Sequence, residues 1–258
     1  MPLFTAEERE RTTEEVSRLL SGDPSVEGVL VVGSLAEEPD RWSDIDLAAV
    51  VTDDADCDAV AADWVRRLYE ALPVLHHFET AFGDNRVRGF LLANLLELDI
   101  AFTPAAQFSV WGPAASLFDR SGRIEAAIGA PAEWEPNPPD WASEAGFAWH
   151  DVLHSCTALR RGRPWQALWY AQRVRNRTLG LDQERRGFYA EFQDYADDLP
   201  PEELVPLEAT LVDSLDPDTL LRAIELTTKA FIAELSRGAP ELAARLEAPL
   251  LEFVRLKE

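Results

Sequence analysis

Two β-branched runs, Val26–Val32 and Ile45–Val51, constrain this chain most. Each is seven residues long and nearly free of polar positions, as expected of strands buried on both faces of a covered sheet. The first ends in Gly33-Ser34, and the second contains Asp46 and follows directly on Asp44. A helix-only fold is excluded for this part of the chain, and the remaining segments read as cover for the sheet or as a separate unit.

Thr5 followed by Glu8 has capping-box spacing, and Val16, Leu19 and Leu20 continue a helix that Gly22-Asp23-Pro24 ends. Val60, Trp64, Leu68 and Leu72 keep a four-residue interval, predicting a crossover helix closed by Pro73. Val74–Phe82, Val87–Leu92 and Leu95–Phe102 read as strands joined by Gly83-Asp84-Asn85 and Ala93-Asn94. Phe108–Ile128 reads as a short helix, a short strand at Leu117-Phe118 and a loop. The stretch 131–139 holds four prolines and predicts a linker, dividing a sheet domain over 1–130 from a helical bundle over 140–258. Its helices are expected at Trp141–Leu159, Pro164–Leu181, Glu184–Tyr195, Pro201–Leu211, Pro217–Leu235 and Pro240–Leu256. The expected fold class is therefore an α/β (α+β) domain with a mixed sheet followed by an all-α bundle.

With 24 Lys and Arg against 47 Asp and Glu, the formal net charge is −23. Such a surface repels nucleic acid and anionic membranes, and a cationic small molecule is electrostatically easier to accept. Cys57 and Cys156, about a hundred positions apart, form neither a disulfide framework nor a zinc motif. Together with an acidic amino-terminal stretch and no long apolar run, this predicts a cytoplasmic protein.

Asp44 and Asp46, two residues apart on an extended segment, leave the same face with Cα atoms roughly 6.5–7 Å apart. Paired carboxylates beside a phosphate site are what Mg²⁺ requires, since it completes its shell with substrate oxygens and water. Asp99, between Leu98 and Ile100, is an acid inside an apolar strand and the candidate third ligand; a buried unpaired charge there would cost several kcal/mol. A two-residue Ala93-Asn94 hairpin would set Arg88 opposite Asp99, giving an ion pair as the plainer account. Glu97 shares the face of Asp99 and competes for either role, most naturally as a base. Gly33-Ser34 lets backbone approach an anion and offers a hydroxyl and N–H donors to phosphate.

Gly33-Ser34, a nine-residue spacer, Asp44-Ile45-Asp46 and the later Leu98-Asp99-Ile100 resemble, over about residues 26–102, the signature of the DNA polymerase β-like nucleotidyltransferase superfamily. With helices following, the arrangement is similar to aminoglycoside and lincosamide nucleotidyltransferases, enzymes of antibiotic resistance. The resemblance implies two Mg²⁺ ions held by Asp44, Asp46 and Asp99, and ATP or another nucleoside triphosphate as substrate. It also implies transfer of a nucleoside monophosphate, most simply AMP, to a hydroxyl of a small acceptor such as an aminoglycoside. A relative that modifies a protein or tRNA, or that binds nucleotide without turnover, is the alternative.

Phosphates also require cations. Arg41 and Ser43 lie in the spacer; Arg173 and Arg177, one helical turn apart, are candidates for the triphosphate, with pairing to nearby acids as the plainer expectation. His150 and His154 share a helix face but lack an evident third ligand, so a zinc protease is disfavoured. Trp111, Trp134, Trp141, Trp149, Trp165 and Trp169 cluster around the linker, and packing is their default role.

Overall fold

The computed structural model describes residues 3–132, 138–188 and 194–256. The chain divides into two compact units, Met1–Trp134 and Glu135–Glu258. The middle of the proline-rich stretch, together with Trp134, lies outside the described residues.

The first unit is built on a six-stranded sheet. In chain order, α1 (Ala6–Ser21) leads into β1 (Val26–Val32), a 3₁₀ turn at Gly33–Ala36 and β2 (Ile45–Val51). Then come α2 (Cys57–Ala71), β3 (Val74–Phe82), β4 (Asn85–Leu92) and β5 (Glu97–Pro104). A 3₁₀ turn at Ala105–Gln107, β6 (Ala114–Asp119) and α3 (Arg123–Gly129) complete the unit. Strand order is β3-β4-β5-β2-β1-β6, with β2–β5 parallel and the other pairs antiparallel, so the sheet is mixed as expected. The expected short strand at Leu117-Phe118 is the centre of β6, which pairs with β1.

Alternation sorts the two faces. Ile45, Leu47, Ala49, Leu98, Ile100 and Phe102 point to one face and join Val16, Leu20, Trp64 and Leu68 from α1 and α2 in the main core. On the other face Leu30 and Val50 pack with Ala105, Val110 and Ile124. This cover lies toward β1, while Asp46, Glu97 and Asp99 emerge from the uncovered part of the same face. The Thr5–Glu8 capping box is present at the start of α1, with Thr5 Oγ1 accepting from the Glu8 N–H.

The β4–β5 register corrects one expectation. Ala93, Asn94 and Leu95 form a three-residue loop closed by Leu92 N–H donating to Leu96 O at 2.9 Å, with Leu95 at φ 61°. The extra residue shifts pairing by one, so Gly89 faces Asp99 while Arg88 faces Ile100. Arg88 points to the other face and pairs with Glu79 at 3.3 Å.

The second unit contains α4 (Trp141–Arg160), α5 (Pro164–Arg185), α6 (Pro201–Glu208), α7 (Pro217–Gly238) and α8 (Pro240–Arg255). Ala145, Val152, Val174, Leu181, Ile224, Phe231, Leu235 and Val254 form its core. Helix α5 does not stop at Leu181. It runs through Gly180 to Arg185 because Leu181 is buried and Asp182 is bound by Arg185 and Arg186 on its own turn. The separate helix expected at Glu184–Tyr195 is therefore not seen over its described residues: 186–188 are a turn, Asp194–Asp198 is 3₁₀, and 189–193 lie outside the description. Among the described residues no helix is long and apolar enough to cross a membrane.

Candidate active site

Strands β2 and β5 bring the acids together. Asp46 and Asp99 are direct partners in the parallel register, so adjacent strands, spaced about 4.8 Å, project them to the same face. Asp44 stands just ahead of β2, and Glu97 lies two residues before Asp99 on that face. Burial, then the charges of Asp44 and Glu97, holds the Asp46 carboxyl up at about 6. Burial, then Glu97, Asp46 and Asp44, pushes Asp99 to about 7. Four acids thus share one electrostatic environment.

The surroundings of Asp99 are specific. A Cβ added at Gly89 would lie 2.7 Å from Asp99 Oδ1 and 2.1 Å from Cε1 of Phe78. Glycine is required here by close approach, its usual meaning inside a strand. That same Oδ1 is buried and has no hydrogen-bond partner among the described residues. An unpartnered carboxylate oxygen among three further acids is an arrangement that a divalent cation would complete. As placed, no group of three or more His, Cys, Asp or Glu among the described residues is arranged to hold an ion. The fit therefore rests on the donor chemistry: Asp44, Asp46 and Asp99 suit a hard oxygen-binding ion such as Mg²⁺.

The Gly33-Ser34 turn joins this cluster. Gly33 has φ 65°, a left-handed conformation that favours glycine, and a Cβ there would sit 3.4 Å from Asp46 Oδ2. Its own N–H is taken by Pro113 O at 3.1 Å, while Ser34 is exposed at the start of the 3₁₀ turn.

The spacer is tied down by a residue that sequence reading missed. Arg9, on α1 and 3% exposed, donates from Nη1 to the carbonyls of Asp40 at 2.6 Å and Ser43 at 3.0 Å. These bonds end one residue before Asp44. The signal was an arginine on the buried stripe Arg9, Thr13, Val16, Leu20. Ser43, expected near phosphate, is buried; its hydroxyl accepts from Asp40 N–H at 3.0 Å and lies 3.2 Å from Asp40 Oδ1, closing the loop. Arg41 is exposed with its guanidinium 5.0 Å from the rings of both Phe4 and Trp42. Stacking leaves the in-plane N–H donors uncommitted by that contact.

In the helical unit, Arg173 Nε donates to Asp151 Oδ2 at 3.0 Å, and Arg177 donates to Glu144 with Nη2 4.0 Å from Asp151. The plainer expectation, pairing with acids, describes what both do there. The rings of His150 and His154 lie with centroids 4.2 Å apart at a tilt of 42°, but Asp151 between them is held by arginine. Packing describes Trp141, which lies against the helical core and so close to Gly238 that an added Cβ would be 2.0 Å away, while Trp111, Trp149, Trp165 and Trp169 are between 40% and 74% exposed.

No protein-family model and no curated protein matches the sequence. Among solved structures, the chain is similar to an aminoglycoside 6-adenyltransferase from Bacillus subtilis, with 10% identity, a TM-score of 0.42, and coverage of 96% of this chain and 98% of that one. It is also similar to a nucleotidyltransferase-like protein from Exiguobacterium sibiricum, with 10% identity, a TM-score of 0.38, and coverage of 88% and 77%.

Proposed function

We propose that this chain is a Mg²⁺-dependent nucleotidyltransferase that moves a nucleoside monophosphate, most simply AMP from ATP, onto a hydroxyl of a small molecule. The observation that carries the reading is the convergence of Asp44, Asp46, Glu97 and Asp99 on one sheet face beside Gly33-Ser34, with Asp99 Oδ1 unpartnered. Asp44, Asp46 and Asp99 would hold the ions. When bound, Mg²⁺ supplies charge neutralisation on the triphosphate and on the departing pyrophosphate.

The chain's own groups do the rest. The N–H and hydroxyl of Ser34 bind phosphate oxygens, with the Gly33 N–H committed to Pro113, and Arg41 offers its guanidinium edge to them. The acceptor oxygen attacks the α-phosphorus, the bond to the bridging oxygen of pyrophosphate breaks, and the acceptor proton passes to Glu97 or Asp99. Arg173 and Arg177 stand second in this reading because both guanidinium groups already serve acids of α4. The acidic chain favours a polycationic acceptor, so aminoglycosides are the first class to assay.

The test is transfer of label from α-phosphate-labelled ATP to a panel of small acceptors, lost in Asp44→Ala and Asp46→Ala. Label on a protein or tRNA instead would select the macromolecular alternative, and Mg-ATP binding without transfer the non-catalytic one. Purified protein that binds no Mg-nucleotide would sink all three.

A further inference from the structure

Among the described residues strand β3 is an edge of the sheet and pairs only with β4. Backbone N–H and C=O groups directed away from β4 are therefore presented outward, a template for another strand. Soluble proteins blunt such edges with Lys, Pro, bulges or short length. This edge is nine residues long, VLHHFETAF, with no Lys, Arg or Pro. Leu75, Phe78 and Phe82 are 53%, 46% and 62% exposed. One irregularity, between Val74 and His76, leaves His76–Phe82 as the regular run.

About Phe78 this run is complementary to itself. In an antiparallel pairing centred there, Phe78 faces the second Phe78, His77 faces Glu79, and His76 faces Thr80. His77 and Glu79 share the face that pairs with Phe90 and Arg88. Within one chain His77 Nε2 already lies 3.4 Å from Glu79 Oε1, and the Tyr69 hydroxyl holds the same ring through Nδ1 at 3.1 Å. Sliding the pairing by two residues, the smallest slip that keeps faces matched, sets Glu79 against Glu79 or His77 against His77. A His77 ring nitrogen can donate to Glu79, whereas the slips oppose two carboxylates or two imidazoles, so side-chain complementarity selects one register.

We propose that β3 is the surface on which two copies of this chain associate, antiparallel about a two-fold axis at Phe78, joining their sheets edge to edge. This goes beyond the transfer reaction and does not depend on it. Each copy carries a formal charge of −23, so association strengthens as salt rises to physiological ionic strength.

The test combines sedimentation with register-specific crosslinking in a Cys57→Ser chain, which leaves only the buried Cys156. Directly opposed side chains approach within disulfide range. Under mild oxidation Phe78→Cys should therefore crosslink to itself. His76→Cys and Thr80→Cys should each stay uncrosslinked alone and crosslink when mixed. Without cysteine substitutions, dimer should form with rising concentration, and His77→Glu, which opposes like charges, should weaken it on the order of tenfold. Circular dichroism checks that each variant is folded. A chain that sediments as a monomer up to about 100 µM overturns the proposal. So does a dimer indifferent to His77→Glu, or a mixture of folded His76→Cys and Thr80→Cys chains that fails to crosslink.

Discussion

Asp46 and Asp99 stand opposite each other on the parallel strands β2 and β5, and both carboxyls are held above the ordinary range, at about 6 and about 7. Burial is the first cause of both shifts, and the neighbouring acids follow. A raised carboxyl pKa means that the native state binds protons the unfolded chain has released. Stability contributed here is full below about pH 4 and is lost as pH rises through about 6 and then 7, beyond which the loss is constant.

Metal-free protein should therefore gain from Asp99→Asn at pH 8 and not at pH 4. Because both groups are partly solvated, the gain is a melting shift of only a few degrees. Thermal unfolding of wild type and variant from pH 4 to 8 measures it; curves that run parallel across that range would refute the coupling. Millimolar Mg²⁺ should stabilise wild type at pH 8 and do little for the variant, by preferential binding to the native state.

Gly89→Ala tests the close approach behind Asp99. Its Cβ would lie 2.1 Å and 2.3 Å from Cε1 and Cζ of the Phe78 ring and 2.7 Å from Asp99 Oδ1. The expected cost is roughly 1–3 kcal/mol in denaturant unfolding. Pairing it with Phe78→Ala removes the ring but not the carboxylate, so stability should recover in part while nucleotide transfer stays impaired. Full recovery of both would show that Asp99 can move without consequence.

Arg9→Lys addresses the arginine that ties α1 to the spacer. A lysine is shorter and its strongly hydrated ammonium is costlier to bury than the guanidinium whose Nη1 meets both carbonyls, so the acceptors of Asp40 and Ser43 lose their donor inside the protein. A loss of roughly 1–3 kcal/mol is expected. Because the bonded carbonyls immediately precede Asp44, Mg-nucleotide affinity measured calorimetrically on folded variant should fall as well. Unchanged affinity would confine Arg9 to stability.

What the sequence showed follows from the range of the forces involved. The strands that lead into Gly33-Ser34 and carry Asp46 were legible because burial on two faces imposes an apolar run, and the Thr5–Glu8 box because capping is local. The β4–β5 register was not legible. Three-residue hairpin loops usually place glycine in the left-handed position, whereas here Leu95 occupies it, and Ala93-Asn94 reads as a shorter turn. That single residue exchanged Arg88 for Gly89 opposite Asp99 and replaced an ion pair by an orphaned oxygen. Gly89 inside a strand was the available clue. Arg9 was unreadable as a tether because its partners lie 31 and 34 residues away, a relationship only the fold creates.

Arg173 and Arg177 allow the ion-pair account to be separated from a role at the triphosphate. Asp151 is 1% exposed, and its direct hydrogen bond comes from Arg173, whereas Arg177 reaches it only at 4.0 Å and His150 at 3.5 Å. Arg173 is the more exposed of the two arginines, at 43% against 17%, yet its removal leaves the buried carboxylate without its best partner. Arg173→Met should therefore destabilise more than Arg177→Met, which frees only the partly exposed Glu144. A buried carboxylate that loses its cation costs more than the pair contributes, so Asp151→Asn should recover most of the loss when combined with Arg173→Met. Half-exposure of the arginine limits the single-variant cost to about 2 kcal/mol. Denaturant unfolding of the four chains of this cycle supplies the coupling energy, and additive effects would remove the ion pair from the account. If Arg173 also serves the triphosphate, the double variant will be stable but show a raised KM for ATP, a readout that restoring the fold does not move.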